Sequence, residues 1–276
     1  MSLHVLEVLT RFLGGSLYPA MPLRKGLEVA NGWVSLFDSA GILGFDALWD
    51  SGRLNRFGEK PGRDISTMEL GGKTLFVKRY YKKSLLSSIL SRLEGSVVEW
   101  VGAHVLKDLG FKSFEPVAIG FDGSGRSILV IAKIEGERLE DFFKRDVPFE
   151  YKVNVTERLA DFAARFHACG FTHQDFYLCH LFWNKETGEI GVIDLQRLRR
   201  TGHLILPWVI KDLAQIGYSS KNVLKIEEWA ELSDIFWDTY TSVLPKFKDG
   251  RIVEKIQKKI ARIERHDIKL KKGSAR

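Results

Sequence analysis

The chain has 276 residues, 45% hydrophobic and 28% charged, a balance that excludes an intrinsically disordered or low-complexity protein. Its net charge of +7 comes from residues 251–276, which hold ten basic and three acidic residues and leave the preceding 250 residues neutral. This distribution excludes a uniformly basic nucleic-acid binder, so no nucleic-acid partner is expected. Two cysteines are too few for a disulfide framework, which indicates a reducing compartment.

Two features bear on the expected location of the protein. No run of about 18 apolar residues is present, so no membrane-spanning helix is expected. Glu7, Arg11 and the Gly14-Gly15 pair interrupt the order of charged and apolar residues that a secretion signal requires. We therefore expect a cytoplasmic protein, with peripheral attachment to the inner face of the cytoplasmic membrane as an additional hypothesis.

The first half of the chain is rich in strand patterns, although residues 1–50 resist assignment. Residues 65–70 alternate between apolar and polar, and Gly71-Gly72 is typical of a hairpin turn. The predicted elements are strands over 65–70 and 74–77, a helix over 97–109, and strands over 116–120 and 127–134. This order predicts a small β-rich lobe over residues 1–134.

The second half of the chain is mostly helical in pattern. The predicted elements are helices over 137–145 and 150–169, short strands over 178–183 and 189–195, and helices from Trp208 onward. The pattern predicts a helical lobe over residues 135–250, followed by a basic tail over 251–276. The fold class predicted is therefore α+β, with a β-rich lobe followed by a larger helical lobe.

Four charged positions occur in an order that suits phosphoryl transfer. Lys78 ends an apolar strand, Glu99 lies on the next predicted helix, Asp175 lies in a loop and Asp194 ends another apolar strand. ATP needs a fixed ammonium for its phosphates, which Lys78 offers with Glu99 as its partner, and a hard oxygen ligand for Mg²⁺, which Asp194 offers. Asp175 suits proton acceptance from the acceptor hydroxyl.

Each of these residues also has an ordinary structural interpretation. A lysine after a strand is commonly a solvated edge residue, and a glutamate on a helix is commonly surface. Asp194 is also compatible with a turn cap. The prediction therefore depends on the joint occurrence of the four residues in this order.

Three segments resemble the bacterial lipopolysaccharide core kinase family, which includes the heptose and Kdo kinases on a protein-kinase-like fold. The resemblance rests on HQDFYLCH at residues 173–180, IDLQR at 193–197 and WVIKDLA at 208–214. It implies an ATP-dependent transfer of the γ-phosphoryl group to a sugar hydroxyl of a lipid-linked core oligosaccharide. It also implies that Asp175 is the catalytic aspartate and Asp194 the metal-binding aspartate.

His180 stands where protein kinases place an asparagine that binds a second metal. Imidazole is a poor ligand for Mg²⁺, so Mn²⁺ is the alternative ion. His180 is also compatible with binding a phosphate or a water, or with a structural bond to the backbone. Asp212 is expected to hold the catalytic loop through backbone hydrogen bonds.

The remaining site assignments concern the nucleotide and the acceptor. Gly58 and Gly62 are the candidates for a phosphate loop, although glycine marks any turn. Ile131 and Lys133 are assigned to nucleotide binding. Arg79, Arg197, Arg199 and Tyr177 are assigned to substrate binding, where arginine would contact sugar carboxylates or phosphates. The alternative for each arginine is a solvated face, and that interpretation is favoured for Lys82 and Lys83.

The basic tail has the pattern of an amphipathic helix. Ile252, Ile256, Ile260 and Ile263 form one stripe among basic residues. Such a helix binds an anionic membrane surface, and it equally suits packing of the isoleucine stripe on the helical lobe. Both alternatives remain open from the sequence.

Three functions are compatible with these patterns. The leading hypothesis is a lipopolysaccharide core sugar kinase that uses ATP and Mg²⁺. The second is a kinase-like enzyme that phosphorylates a protein or a small molecule. The third is a catalytically inactive binding protein with a kinase fold, which His180 and the missing glycine-rich motif leave open and the four charged residues oppose.

Overall fold

In the computed structural model, the described part of the chain comprises residues 25–60, 62–81 and 90–274. Residues 1–24, which carry the expectation that no secretion signal is present, lie outside it, as do Lys82 and Lys83. The chain divides into two compact units, and the boundary falls between Ile134 and Glu135.

The first unit is built on an antiparallel sheet of six strands with the order β1-β6-β7-β4-β3-β2. Its strands are β1 (Gly26–Val29), β2 (Asn55–Lys60), β3 (Arg63–Leu70), β4 (Lys73–Tyr80), the separate two-residue β5 (Lys112–Ser113), β6 (Pro116–Phe121) and β7 (Ser127–Ala132). Its helices are α1 (Val34–Ser39), α2 (Phe45–Trp49) and α3 (Leu90–Asp108). All strand pairs of the sheet are antiparallel.

The β3–β4 hairpin confirms the turn predicted at Gly71-Gly72. Both glycines have a positive φ, 57° and 74°, which a two-residue hairpin turn demands and which side chains with a Cβ rarely adopt. Because this turn fixes the register, Ile65 pairs with Lys78 across the two strands. The hairpin therefore sets the position of Lys78 within the sheet.

The two faces of β4 have different roles. Leu75 and Val77 are fully buried in the apolar cluster of this unit, which includes Phe37 of α1 and Leu48 of α2. Successive strand side chains point to opposite faces, so Lys78 projects to the other side of the sheet. Burial of each such apolar side chain contributes about 1.5–3 kcal/mol to folding. The apolar cluster thus anchors the strand that presents Lys78.

Elements β1, α1 and α2 lie in the segment that the sequence left unassigned. Helices of five or six residues are not stable alone, so they owe their conformation to tertiary packing. Strand β1 exists through its pairing with β6, where a Cβ on Gly120 would lie 2.9 Å from the Gly26 carbonyl oxygen. Such long-range pairing leaves little periodicity in the local sequence.

The second unit is mainly helical, as predicted. Its helices are α4 (Leu139–Lys144), α5 (Phe149–Ala168), α6 (Leu206–Lys221), α7 (Ile226–Val243) and α8 (Gly250–Ser274). Its strands are β8 (Glu137–Arg138), β9 (Phe171–Thr172), β10 (Leu181–Asn184), β11 (Glu189–Val192) and β12 (Arg199–Arg200). Strands β8, β10 and β11 pair antiparallel, and β12 pairs with β9.

The core of the second unit forms around α5. The predicted apolar face of this helix is confirmed, because Leu159, Phe162, Ala163 and Phe166 are all buried. Phe166 stacks on Phe176 of the following loop with ring centroids 5.4 Å apart. The α5 core therefore supports the loop that carries Asp175.

Helix α8 packs its isoleucine stripe on the second unit. Ile252 and Ile256 are buried, and the space above Gly217 of α6 is filled by the Ile260 side chain. Tyr218 donates a hydrogen bond to Asp267 at 2.6 Å. Packing thus accounts for the stripe, whereas most basic side chains of the helix are exposed. Within the described residues, no helix combines the length and apolar content needed to cross a membrane.

Candidate active site

Lys78 and Glu99 form a buried ion pair in the first unit. The Lys78 Nζ atom lies 2.5 Å from Glu99 Oε2, and their side chains are 9% and 0% exposed. Tyr80, two residues along β4, donates its hydroxyl to Glu99 Oε1 at 3.1 Å. Because burial removes both charges from water, the ion pair and the Tyr80 hydrogen bond together offset the cost of desolvation. The ammonium is thereby held at one place on the sheet.

Asp175 lies in a loop of the second unit whose backbone is held by α6. Asp212, which is fully buried, accepts the backbone N–H groups of His173 and Gln174 at 2.6 and 2.7 Å. This arrangement confirms the prediction that Asp212 holds the loop. The side chain of Asp175 is half-buried and belongs to a cluster of possible metal ligands.

That cluster consists of Asp175, His180 and Asp194, each offering a ligand atom within 4.8 Å of the others. All three side chains are half-buried, so water can complete a coordination shell. Two carboxylates suit Mg²⁺, and the neutral form of the imidazole would extend the donor set toward Mn²⁺. The residues present therefore fit a divalent cation, and the assignment of Asp194 as its oxygen ligand stays a prediction.

His180 is oriented by the loop itself. Its Nδ1 atom lies 2.7 Å from the Asp175 carbonyl oxygen, and its Nε2 atom lies 3.8 Å from Asp194 Oδ2. Burial acts to lower the pKa of His180, but Cys179, the Asp175 carbonyl and the Asp194 carboxylate outweigh it and raise the pKa to about 9. The imidazole ring is therefore fixed beside both aspartates.

The two aspartate loops are tied to each other. His173 Nε2 lies 2.9 Å from the Ile193 carbonyl oxygen, and the Ile193 N–H donates to the His180 carbonyl at 2.9 Å. Burial lowers the pKa of His173. Asp194 adopts the left-handed conformation with φ 59°. Strained backbone of this kind is concentrated at functional sites.

The residues assigned to nucleotide binding lie in the first unit. Gly58 lies in β2 at an irregularity of the β2–β3 register, and Gly62 lies in the turn that precedes β3, with φ 77°. Ile131 is buried in β7 opposite Phe76, and Lys133 is exposed just after that strand. Their assignment to ATP stays a prediction.

The residues assigned to substrate binding have different surroundings. Arg79 makes two hydrogen bonds of 2.9 Å to Asp64 and one of 2.8 Å to the Trp49 carbonyl, so it contributes to the core of the first unit. Arg197 is exposed after Asp194, Arg199 is half-buried in β12, and burial raises the pKa of Tyr177. A contact of any of these residues with substrate stays a prediction.

Some residues of the site were not found from the sequence. Tyr80 could have been found from the alternation of β4, which places it on the same face as Lys78. Lys211 and Gln215 contact the Asp175 loop from α6, and only their spacing of four residues would have indicated a shared face.

Comparison with known proteins identifies the family. A family model described as "Lipopolysaccharide kinase (Kdo/WaaP) family" matches residues 49–264. Two curated Escherichia coli proteins named "Lipopolysaccharide core heptose(I) kinase WaaP" are similar. One, from strain K12, is 29% identical over 206 residues, covering 65% of this chain and 77% of that protein. The other is 28% identical over 189 residues, covering 60% and 71%.

A solved structure described as "WaaP in complex with acyl carrier protein" has the same fold. Its TM-score is 0.64 at 21% sequence identity, and the match covers 86% of this chain and 98% of that one. The fold class predicted from the sequence, α+β and protein-kinase-like, is confirmed. Because the family model spans most of the chain, including Lys78, Glu99, Asp175 and Asp194, the chain belongs to the lipopolysaccharide kinase (Kdo/WaaP) family and is a phosphotransferase that acts on a sugar hydroxyl.

Proposed function

We propose that this chain transfers the γ-phosphoryl group of ATP to a heptose hydroxyl in the inner core of lipopolysaccharide. The observation that carries the proposal is the Asp175–His180–Asp194 cluster, because it joins a proton acceptor to a cation site in one place. The buried Lys78–Glu99 pair supports the use of a polyphosphate donor, since it holds a fixed ammonium. The similarity to the two heptose(I) kinases favours heptose over Kdo.

The residues of this chain would divide the work as follows. Lys78 binds the α- and β-phosphates, and Asp194 holds Mg²⁺, which neutralises phosphate charge when bound. Asp175 accepts the proton of the attacking hydroxyl; its half-buried carboxylate, next to a backbone that Asp212 holds, supports this role. His180 would hold the Asp175 backbone through its carbonyl oxygen, and its Nε2 atom lies 3.8 Å from Asp194.

The direct test is transfer of ³²P from γ-labelled ATP to purified lipopolysaccharide with Mg²⁺ or Mn²⁺. Two forms of lipopolysaccharide are used as acceptors: one is truncated after the heptose residues and the other after Kdo. Comparing them shows which sugar is phosphorylated. We expect labelling of the heptose-terminated acceptor only, and we expect Asp175→Asn to abolish it while the protein stays folded. Labelling of the Kdo-terminated acceptor would show that Kdo, not heptose, is the sugar phosphorylated. Labelling of neither acceptor would refute the proposal.

A second proposal concerns an acyl carrier protein as a partner, because one solved relative is described in complex with one. The second unit contains a cavity of about 180 Å³ with a mostly apolar lining. Side chains that line it include Leu159, Leu213, Ile216, Trp229, Ile256 and Ile260. We infer that this cavity takes the acyl chain of the carrier protein.

Calorimetry with two forms of the carrier protein tests this partner. We expect the acylated form to bind and the form without an acyl chain to bind at least tenfold more weakly, since the apolar cavity rewards burial of the chain. Ser220→Phe, which fills the cavity, should remove this preference, whereas Ser242→Phe on the exposed part of α7 should keep it. Equal binding of both forms would refute the role of the cavity.

A third proposal is attachment of α8 to an anionic membrane surface. Its exposed basic residues include Lys255, Arg262 and Arg265, and each basic residue near such a surface contributes about 1 kcal/mol. Sedimentation is measured with vesicles that contain phosphatidylglycerol and with vesicles that lack it, so that binding driven by charge can be recognised. Arg262→Gln with Arg265→Gln should weaken sedimentation with the anionic vesicles and leave ATP binding unchanged; unchanged sedimentation would exclude this surface.

A further inference from the structure

Helix α6 contacts the Asp175 loop with more than Asp212. The Lys211 Nζ atom donates to the Gln174 carbonyl at 2.6 Å, and the Gln215 Nε2 atom lies 3.3 Å from the same oxygen. Ser219 accepts the Leu178 N–H at 3.1 Å. Since residues four apart share a helix face, Lys211, Gln215 and Ser219 contact the loop from the same side of α6.

Both backbone polar groups of Gln174 are held by hydrogen bonds. Its N–H is bonded to Asp212, and its carbonyl accepts from Lys211 and Gln215. Gln174 has φ 66°, and within the described residues only Asp194 is another non-glycine residue with a positive φ. A residue with a Cβ adopts this conformation at a cost, and it persists only where the surroundings impose it.

Gln215 acts on both sides of Asp175. Its Nε2 atom reaches the carbonyl of the preceding residue, and its Oε1 atom accepts the N–H of the following residue, Phe176, at 2.8 Å. The two peptide groups that flank the Asp175 Cα are therefore fixed by one side chain. The direction of the Asp175 carboxylate depends on both.

Among the residues that the structure describes, Lys211 forms no ion pair, and its ammonium group donates to the Gln174 carbonyl. Burial and the neighbouring Arg197 lower the pKa of its ammonium group. A half-buried lysine in such surroundings is held at an electrostatic cost, which its bond to a strained peptide offsets.

We propose that Lys211 and Gln215 are positioning residues, which hold Gln174 in its left-handed conformation and so aim the Asp175 carboxylate. The proposal rests on the proposed function, because its kinetic test uses phosphoryl transfer. Two variants isolate the Gln174 contact. Lys211→Met removes the donor with a similar length, and Gln215→Glu removes the Nε2 donor but keeps an acceptor for Phe176.

Each variant is compared with Lys221→Met, a lysine on the same helix that pairs with Glu264 at 3.1 Å, away from the loop. With ³²P transfer to heptose-terminated lipopolysaccharide, we expect Lys211→Met and Gln215→Glu to lower kcat by about tenfold or more, since small misplacements of a reacting group are costly. The KM for ATP should stay within about twofold. Lys221→Met should leave kcat unchanged, and Lys211→Arg should recover part of the loss because it keeps a donor.

A double-variant cycle distinguishes positioning from a general loss of structure. Asparagine adopts the left-handed region more readily than glutamine. Gln174→Asn should therefore make the conformation of this residue depend less on the Lys211 and Gln215 hydrogen bonds. We expect Lys211→Met to lower kcat severalfold less in the Gln174→Asn background than in the parent. An equal loss in both backgrounds would mean that Lys211 acts otherwise than through Gln174, and would overturn the proposal.

Hydrogen exchange gives a readout that needs no acceptor. Mass spectrometry of peptides covering residues 171–178 should show faster exchange in Lys211→Met and no change in Lys221→Met. Unchanged exchange in Lys211→Met would overturn the proposal. If the parent protein transfers no phosphate to lipopolysaccharide, the proposed function fails, and this exchange measurement still decides the positioning role.

Discussion

Two buried charges in the first unit depend on each other at the scale of single residues. Glu99→Gln leaves the Lys78 ammonium buried without its carboxylate. Removal of one partner of a buried pair typically costs about 3 kcal/mol or more, so we expect that loss in the free energy of unfolding. Chemical denaturation measures it. Glu140→Gln is the control, because its pair with Lys144 is on the surface and contributes about 0.5 kcal/mol or less; equal losses in both would contradict the argument.

Asp122 gives a prediction about pH. Burial acts to raise its pKa, but hydrogen bonds from Ser124 and Arg126 lower it to about 2. A carboxyl group with a depressed pKa stabilises the folded state above its unfolded pKa near 3.8 and loses that contribution as pH falls toward 2. Asp122→Asn should therefore cost about 2 kcal/mol at pH 6, at roughly 1.4 kcal/mol per pKa unit.

The difference in the free energy of unfolding between the parent and Asp122→Asn should shrink progressively between pH 4 and pH 2. Urea unfolding at several pH values measures it. Asp161→Asn serves for comparison, because its pair with Arg165 is solvent-exposed and should contribute within about 0.5 kcal/mol. A difference that stays constant down to pH 2 would show that the carboxylate charge is not the cause.

The residue types of the site were predictable from the sequence to different degrees. Asp212 was expected to hold the catalytic loop through backbone hydrogen bonds, and its two bonds to the loop confirm this. Tyr80 and Gln215 were not found, since a tyrosine on a strand and a glutamine on a helix are ordinary in their local sequence. Their roles come from distant partners, Glu99 and Gln174, which local patterns do not encode.

Helix α8 illustrates the same point at the scale of an element. Ile256 is 9% exposed against the second unit, whereas Ile268 is 48% exposed on the same helix. Ile256→Ala should lower the free energy of unfolding by about 2–4 kcal/mol, since it removes buried apolar contacts and enlarges the cavity that Ile256 lines. Ile268→Ala should change it by less than about 0.5 kcal/mol, as an exposed substitution does. Thermal and urea unfolding of both variants decide this, and equal effects would mean that α8 does not pack through its isoleucine stripe.

The elements were predicted best where their periodicity is strong. The alternation of β3, the glycine turn and the apolar face of α5 each follow from local sequence and are confirmed. Helices α1 and α2 and strand β1 were not assigned, because their stability comes from the apolar cluster and from pairing with β6. The amphipathic pattern predicted helix α8. The same pattern was compatible with two partners for the isoleucine stripe, a membrane surface or the helical lobe.

At the scale of the whole molecule, a working kinase differs from an inactive binding protein in its response to nucleotide. We expect Mg-ATP at about 100 times its Kd to stabilise the folded state by roughly 2.7 kcal/mol and to raise Tm by several degrees. Lys78→Met and Asp194→Asn should each reduce this shift. Thermal unfolding with ATP, Mg²⁺ or both measures it, and no shift with Mg-ATP in the parent would favour the inactive binding protein.

The sequence by itself determined the fold class, the family and the four charged residues, because motif spacing and strong periodicity are properties of the local chain. Tertiary structure alone decided which groups share a position: that Glu99 meets Lys78, and that Asp175, His180 and Asp194 gather within 4.8 Å. It also turned the basic tail, first seen as an excess of charge, into a helix whose apolar side is covered by α6. The physical reason is that burial and pairing energies arise between residues far apart in sequence, and only the folded chain brings them together.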